Sequence, residues 1–328
     1  MNDENRPFIP YENNPFEISD RVIVVALDKD NNIRHIQRLK EHLEKPDIRI
    51  AMSSHGASLL DVITKEDYLT LDRAGAPTLK FCATGNHHGD ATKLLGSIAE
   101  ALIVQECNNN SDFNRDLAKH ARGGSKLSNF PDGYIAIATG SYQTKKNHRQ
   151  HYNPNDTQRD IIWVDKNDVA LQLDSLSPNK GKSSVKPAGI QVKASYDFRY
   201  VLRNIEQYAY PVVYFDMCND WNYLNAAVAN INKDMGDRTI SLVPHDDVLR
   251  YIKEILRNYH QIIVALLNGE CTMQQLIEEA NISNDNALGS VLDNAAQDSG
   301  DKIILPVQKL TIDAGLLDSM RTKIKNLF

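Results

Sequence analysis

Cysteine is scarce in this chain: four residues in 328, at positions 82, 107, 218 and 271, with no CxxC pair among them. That spacing excludes a zinc ribbon and gives no disulfide framework, so reduced thiols are expected. No apolar run approaches the roughly 20 residues needed to span a bilayer. The opening Met1-Asn2-Asp3-Glu4-Asn5-Arg6-Pro7 has no apolar signal-peptide core, and a cytoplasmic protein is expected. An excess of positive charge is also missing. The formal net charge is −6, so any contact with a polyanion must come from local basic patches rather than from the whole surface. There is no internal repeat and no low-complexity tract.

What is present is a globular composition, 41% hydrophobic and 24% charged, on a chain long enough to bury a core without staples. Three segments follow from the pattern. Residues 1–83 hold an Asn/Pro/Glu-rich arm and a small β-α-β element: strand Arg21–Leu27, helix Ile33–Leu43 and strand Ile48–Met52, with His55 in a loop. Residues 84–232 alternate helices and strands. A strand at Lys80–Ala83 leads through Thr84–Asp90 into helix Ala91–Gln105. Asp90 is the expected N-cap, and Leu94, Leu95, Ile98 and Leu102 form the buried stripe. A short helix at 112–122 and a strand at Tyr134–Thr139 come next. Gly140–Arg159, with Lys145, Lys146, His148, Arg149 and His151, reads as a long exposed loop of a functional kind. Strands Ile161–Val164 and Val169–Leu173 flank the turn Asp165–Asp168. Strand Gly189–Ala194, helix Tyr196–Tyr208, strand Pro211–Phe215 and helix Trp221–Ile231 complete the segment. Residues 233–328 are helical: one long helix over His245–Leu267, then a helix–turn–helix layout over 272–296. The second helix of that layout carries no Arg or Lys, which counts against groove entry.

The strand Ile190–Ala194 stands out. Alternation sends Ile190 and Val192 to one face and Gln191 and Lys193 to the other. A lysine on a strand that otherwise looks buried needs an anionic partner: a carboxylate, a phosphate or a cation-bound site.

Gln191-Val192-Lys193 in this order of elements resembles the PD-(D/E)XK nuclease superfamily, which includes many type II restriction enzymes; Gln stands where Asp or Glu is usual. The resemblance covers roughly residues 84–232. It implies an α/β fold with a mixed central sheet and flanking helices, and hydrolysis of DNA phosphodiesters in restriction or anti-phage defence. A homodimer that cuts both strands is also implied. The family uses a further aspartate before this motif. Asp160, directly before the strand Ile161–Val164, and Asp174, 17 residues before Gln191, both qualify. Pro131-Asp132 is a literal PD pair but lies 59 residues upstream. Glu100, the acid within the apolar part of its helix, matches a glutamate that many members add. The resemblance implies one or two Mg²⁺ ions on the aspartate, Gln191 and Glu100. Lys193 is then expected to orient or deprotonate the attacking water and to stabilise the phosphate oxyanion. Lys145, Lys146, Arg149, Lys180 and Lys182 are expected to grip the duplex backbone, with His87 and His88 near a phosphate at the helix N-terminus. The glutamine also admits a non-catalytic DNA-binding or complex subunit with the same fold, and an RNA nuclease fits the pattern equally.

Overall fold

The computed structural model describes residues 23–27, 33–38, 48–73, 75–80, 84–124, 126–173, 187–234 and 239–280. Its first elements are an antiparallel hairpin, β1 (Ile23–Leu27) with β2 (Ile33–Arg38). The helix expected over 33–43 is therefore a strand at its start. Short apolar runs satisfy both periodicities, and here pairing with β1 decides. Ile48–Met52, expected as a strand, opens α1 (Ile48–Lys65), which carries His55 inside a helix rather than a loop. A Cβ on Gly56 of α1 would lie 2.9 Å from Leu276 Cδ1 and 3.2 Å from Ala280 Cβ. Glycine thus lets α1 touch α8 (Met273–Ala280). A second small hairpin, β3 (Leu69–Leu71) with β4 (Pro77–Leu79), follows α1. The strand expected at Lys80–Ala83 falls just after β4, and 81–83 lie outside the described residues.

α2 (His87–Asn109) begins earlier than Ala91. Its cap is Asn86, whose side chain accepts from Gly89 N at 3.1 Å. Asp90 sits buried in the first turn and accepts from Thr84 N at 2.7 Å and Thr84 Oγ1 at 2.8 Å. The two residue types make the same kind of bond, so sequence alone does not separate them. The stripe Leu94, Leu95, Ile98 and Leu102 is buried as expected. α3 (Ser111–Arg122) follows, capped by Asn110.

β5 (Tyr134–Ala138) pairs antiparallel with β6 (Ile161–Asp165), and β7 (Gln191–Ser195) pairs parallel with β8 (Val212–Asp216). One antiparallel bridge, Ile161–Ile190, joins β6 to the start of β7. Ile161 N donates to Ile190 O at 3.1 Å, and Ile190 N donates to Ile161 O at 3.0 Å. Helices and small sheets are thus combined, but the sheets among the described residues are two-stranded rather than one continuous central sheet. The strand expected at Val169–Leu173 is reduced to isolated bridges such as Val164–Ala170. Where one helix over 196–208 is expected, α5 (Phe198–Leu202) is followed by a 3-10 turn at Ile205–Gln207. α6 (Trp221–Asp234) and α7 (Asp247–Asn268) match their expected positions.

Alternation along the strands distributes the core. Ile161 and Trp163 join a large buried cluster with Leu59 and Ile63 of α1, Leu95 and Ile98 of α2, and Val213 and Phe215 of β8. Tyr259 and Ile263 of α7 and Leu276 of α8 belong to it too, so all three sequence segments contribute to one core. Val212 and Tyr214, on the other face of β8, pack with Val201, Ile205, Leu224 and Val228 from the α5–α6 region. Ile137, Ile162 and Val164 form a small third cluster on the outer face of β5–β6. Residues 140–159 are not the long loop expected. They form α4 (Tyr142–Asn147) and a 3-10 turn at Arg149–His151. Their far end is tied to the β6 turn, where Asp168 Oδ1 lies 2.6 Å from His148 Nδ1 and Gln150 Nε2 donates to Asp168 Oδ2 at 2.7 Å.

The outer edges are also occupied. The Asn108 side chain accepts from Ala136 N at 2.9 Å and donates to Ala136 O at 3.0 Å, so an amide stands in for a strand beside β5. On the far side, Val212 N donates to Ser241 O at 2.8 Å and Val243 N donates to Val212 O at 2.9 Å. α8 corresponds to the first helix of the expected helix–turn–helix, with Met273, Leu276, Ile277 and Ala280 buried; the second lies outside the described residues. Among the described residues no helix is long and apolar enough to cross a membrane, and Cys107, Cys218 and Cys271 form no disulfide.

Candidate active site

The bridge between β6 and β7 sets the site. Any side chain at Gly189 would meet Arg159 Cγ at 2.8 Å and Ile161 O at 3.0 Å, so glycine lets the chain enter β7 directly against β6. Asp160, immediately before β6, then faces the first residues of β7. Its Oδ2 accepts from Val192 N at 2.7 Å and from Gln191 Nε2, and Lys193 Nζ lies 3.6 Å away. The Lys193 ammonium also stands 5.5 Å from the centroid of the Tyr208 ring, which holds it from the side.

Gln191 is 2% exposed, and its Oε1 is buried with no hydrogen-bond partner. An amide normally satisfies both ends when buried, so this oxygen is an unused hard donor beside a carboxylate. Glu100 approaches from α2 and lines the same cavity as Asp160, a polar space of about 230 Å³ that Glu66, Tyr68, Ser97 and Asp156 also border. Withdrawal from water pushes the Glu100 carboxyl well above its usual range, and the charges of Asp160 and Glu66 push it further; Lys193 opposes them. Burial likewise raises Asp160, against the pull of Lys193 and the Val192 amide. Two carboxylates that hold their charge reluctantly, one ammonium and one unpaired amide oxygen therefore converge. Such a set favours a divalent cation, which would relieve the repulsion, and its donors are all oxygens, as Mg²⁺ prefers. Among the described residues no group of three or more His, Cys, Asp or Glu is arranged to hold a metal ion. The third donor here is an amide.

Of the expected site residues, Glu100, Asp160, Gln191 and Lys193 are brought together. Asp174, Lys180 and Lys182 lie outside the described residues. Asp132 of the literal PD pair is far from this chemistry, in a forked ion pair with Arg115 at 2.6 Å and 2.7 Å. Lys145, Lys146 and Arg149 are exposed on the 142–152 excursion. Both feet of that excursion, Gly140–Ser141 and Asn153–Pro154, line the cavity. His87 and His88 are not at the cavity. His87 Nδ1 contacts Asn268 Oδ1, and the His88 ring packs 4.6 Å from both Tyr196 and His260. They begin α2 a dozen residues before Glu100, which is about 18 Å along a helix.

Sequence reasoning missed Glu66, Asp156 and Tyr208. Glu66 follows the last residue of α1, and its Oε2 accepts from Tyr142 N at 2.9 Å, anchoring the start of α4 to the cavity wall. Nothing local marks it, because it arrives from a distant helix. Asp156 had a signal: it lies three residues before Arg159, which donates to Asp156 Oδ2 at 3.0 Å, in the run that leads into Asp160. No protein-family model, curated protein or solved structure matches the chain.

Proposed function

We propose that this protein is a Mg²⁺-dependent nuclease of the PD-(D/E)XK type that hydrolyses DNA phosphodiester bonds, in the manner of a restriction or defence enzyme. The observation that carries the reading is Lys193 Nζ, 3.6 Å from the carboxylate of Asp160, which lines a cavity with Glu100 and meets the Gln191 amide, whose oxygen is unpaired. Asp160, Glu100 and Gln191 Oε1 would hold the cation, and when bound it would supply Lewis-acid stabilisation of the phosphate and of an attacking water. The chain's own residues do the rest. Lys193 places positive charge where the phosphoryl oxygens become more negative and orients the water against them. Tyr208 keeps the ammonium compact in position, and Val192 N holds Asp160 in register with β7. Lys145, Lys146 and Arg149, on an excursion rooted at the cavity rim, would contact phosphates without regard to sequence.

The experiment is a supercoiled-plasmid digest with Mg²⁺, with EDTA, and with Lys193→Ala. Mg²⁺-dependent nicking that EDTA and the variant both abolish supports the reading. Cutting at the wild-type rate by a folded Lys193→Ala removes it. One observation favours a second reading, a non-catalytic DNA-binding subunit. Asp160 is already satisfied by Gln191 Nε2, Val192 N and Lys193, an arrangement that is self-sufficient without a metal. DNA binding with no cutting under any divalent cation would select it.

A further inference from the structure

The basic excursion over residues 142–152 is held by a few specific ties. Of α4 only Thr144 is buried, and six residues are too few for a helix to persist on its own. Ser141 caps it, its Oγ accepting from Thr144 N at 3.1 Å. Two further ties come from the end of α1. Glu66 Oε2 accepts from Tyr142 N at 2.9 Å, and Gln143 Nε2 donates to Lys65 O at 2.6 Å. Glu66 also lines the cavity with Glu100 and Asp160, as do Gly140, Ser141, Asn153 and Pro154 at the feet of the excursion. It therefore belongs to the cavity wall and to the excursion at once. Burial pushes its carboxyl up while the backbone amides of Tyr142 and Gln143 pull it down, so the excursion offsets part of the cost of placing a charge there.

We infer that Glu66 is a positioning residue: it docks the 142–152 excursion against the cavity, so that Lys145, Lys146 and Arg149 meet the phosphates of a DNA strand that reaches the site. The inference rests on the nuclease reading for the identity of the polyanion. An undocked excursion would have to be ordered by the DNA itself, and every residue fixed at that moment subtracts from affinity. The chain carries a net charge of −6, so a local group of cations must be held in place to act on a polyanion. One hydrogen bond to a charged acceptor shifts a docking equilibrium by about 10- to 150-fold. The tie needs an acceptor oxygen at this reach rather than a negative charge, which separates the glutamine variant from the alanine one.

The test uses the full chain in EDTA, where nothing is cut. Trypsin cleaves after Lys145, Lys146 and Arg149, and cleavage of a docked segment follows the population that is undocked. Glu66→Ala should speed cutting at these sites by up to about 10- to 150-fold, and Glu66→Gln should behave as the wild type. Asp61→Ala, which removes a surface ion pair near the end of α1, should leave the rate unchanged. Fluorescence anisotropy with a labelled hairpin duplex gives the second readout. Both Glu66 variants lose the same charge, so weaker binding and a lower salt slope in Glu66→Ala than in Glu66→Gln isolate docking. Adding the triple alanine replacement of Lys145, Lys146 and Arg149 to Glu66→Ala should then change little, because the two act on one element. Unchanged tryptic cutting in a Glu66→Ala protein that melts normally overturns the inference. So does faster cutting with duplex binding equal to that of Glu66→Gln. Should Glu66→Ala not fold, Gln143→Ala removes the neighbouring tie from the excursion itself and must give both effects to a lesser degree; neither effect there overturns the inference as well. Docking-dependent duplex binding in a protein that never cuts with Mg²⁺ removes the nuclease reading and keeps the role of Glu66. Mg²⁺-dependent cutting with alanine and glutamine variants indistinguishable in both assays removes only that role.

Discussion

Replacing Lys193 by alanine removes the cation that acts on both Asp160 and Glu100. At 3.6 Å and an effective dielectric of about 20, the attraction to Asp160 alone is about 4–5 kcal/mol. The pair is not fully dry: the lysine side chain is 24% exposed and the aspartate 14%. Truncation also recovers the cost of desolvating the ammonium, so the net loss of stability should be about 1–3 kcal/mol. The pH dependence carries the sharper test. Both acids already sit above their usual values with Lys193 in place, and without it they rise further. At acid pH both are neutral in the folded protein, and the lysine has no charge there to pair with. The deficit should therefore be small at low pH and grow as pH rises through the raised carboxyl values. Urea melts of the wild type and Lys193→Ala across a pH series measure this directly. A deficit that does not change with pH, or one below about 0.5 kcal/mol throughout, would refute the argument and return Lys193 to an ordinary surface role. In the same variant, cutting should fall by ~10²–10³ with DNA affinity in Ca²⁺ retained. Lys193→Arg should not restore it, since a broad planar fork does not replace a compact ammonium.

Glu100→Gln should stabilise the fold at neutral pH while abolishing Mg²⁺-dependent cutting. A carboxyl held above its unfolded value contributes its full stability below about 4.5, and that contribution is lost as pH rises from there through its folded value; thermal melts at acid and neutral pH should show a gain only at neutral pH. Gln191→Glu would set a carboxylate where an amide N–H now meets Asp160, so the variant should melt lower than the wild type in EDTA and recover in Mg²⁺. A melting temperature indifferent to Mg²⁺ in that variant counts against a cation between these residues. Replacing Lys145, Lys146 and Arg149 together by alanine should lower the salt slope of duplex binding by about 0.9 per lost contact, and an unchanged slope would place the DNA path elsewhere.

The legible parts of this fold share one property: a local pattern that tertiary contacts reinforce. The stripe of α2 and the buried runs of β6 and β8 are examples, and so is the alternation that sets Gln191 and Lys193 apart from Ile190 and Val192. Errors fall where local and distant signals compete. Ile33–Leu43 has helical spacing, but its start, Ile33–Arg38, is recruited by β1. Ser53-Ser54-His55-Gly56 looks like the end of an element, yet Gly56 is small because α8 packs on it, which no window around residue 56 contains. The 140–159 segment is tied down by hydrogen bonds to Glu66 and Asp168 rather than by an apolar stripe of its own, so its order is invisible in its own composition. At the candidate site, Asp160, Gln191 and Lys193 are readable because two adjacent strands bring them together in an order the sequence preserves. Glu66 reaches the cavity, and Tyr208 reaches Lys193, from elements whose approach depends on the completed core.

The Asn108 amide beside Ala136 has a consequence for how copies of this chain can meet. A bare strand edge is adhesive, since any extended peptide can zip onto it. Here the β5 edge is stoppered at Ala136 by a side chain and the β8 edge is occupied at Val212 by the Ser241–Val243 segment, so a second copy cannot add a strand at either without first evicting residues of this chain. An assembly of two copies would then have to use surfaces other than these two edges. Loss of the stopper, as in Asn108→Leu, would show first as slow self-association of an otherwise folded protein rather than as a lower melting temperature.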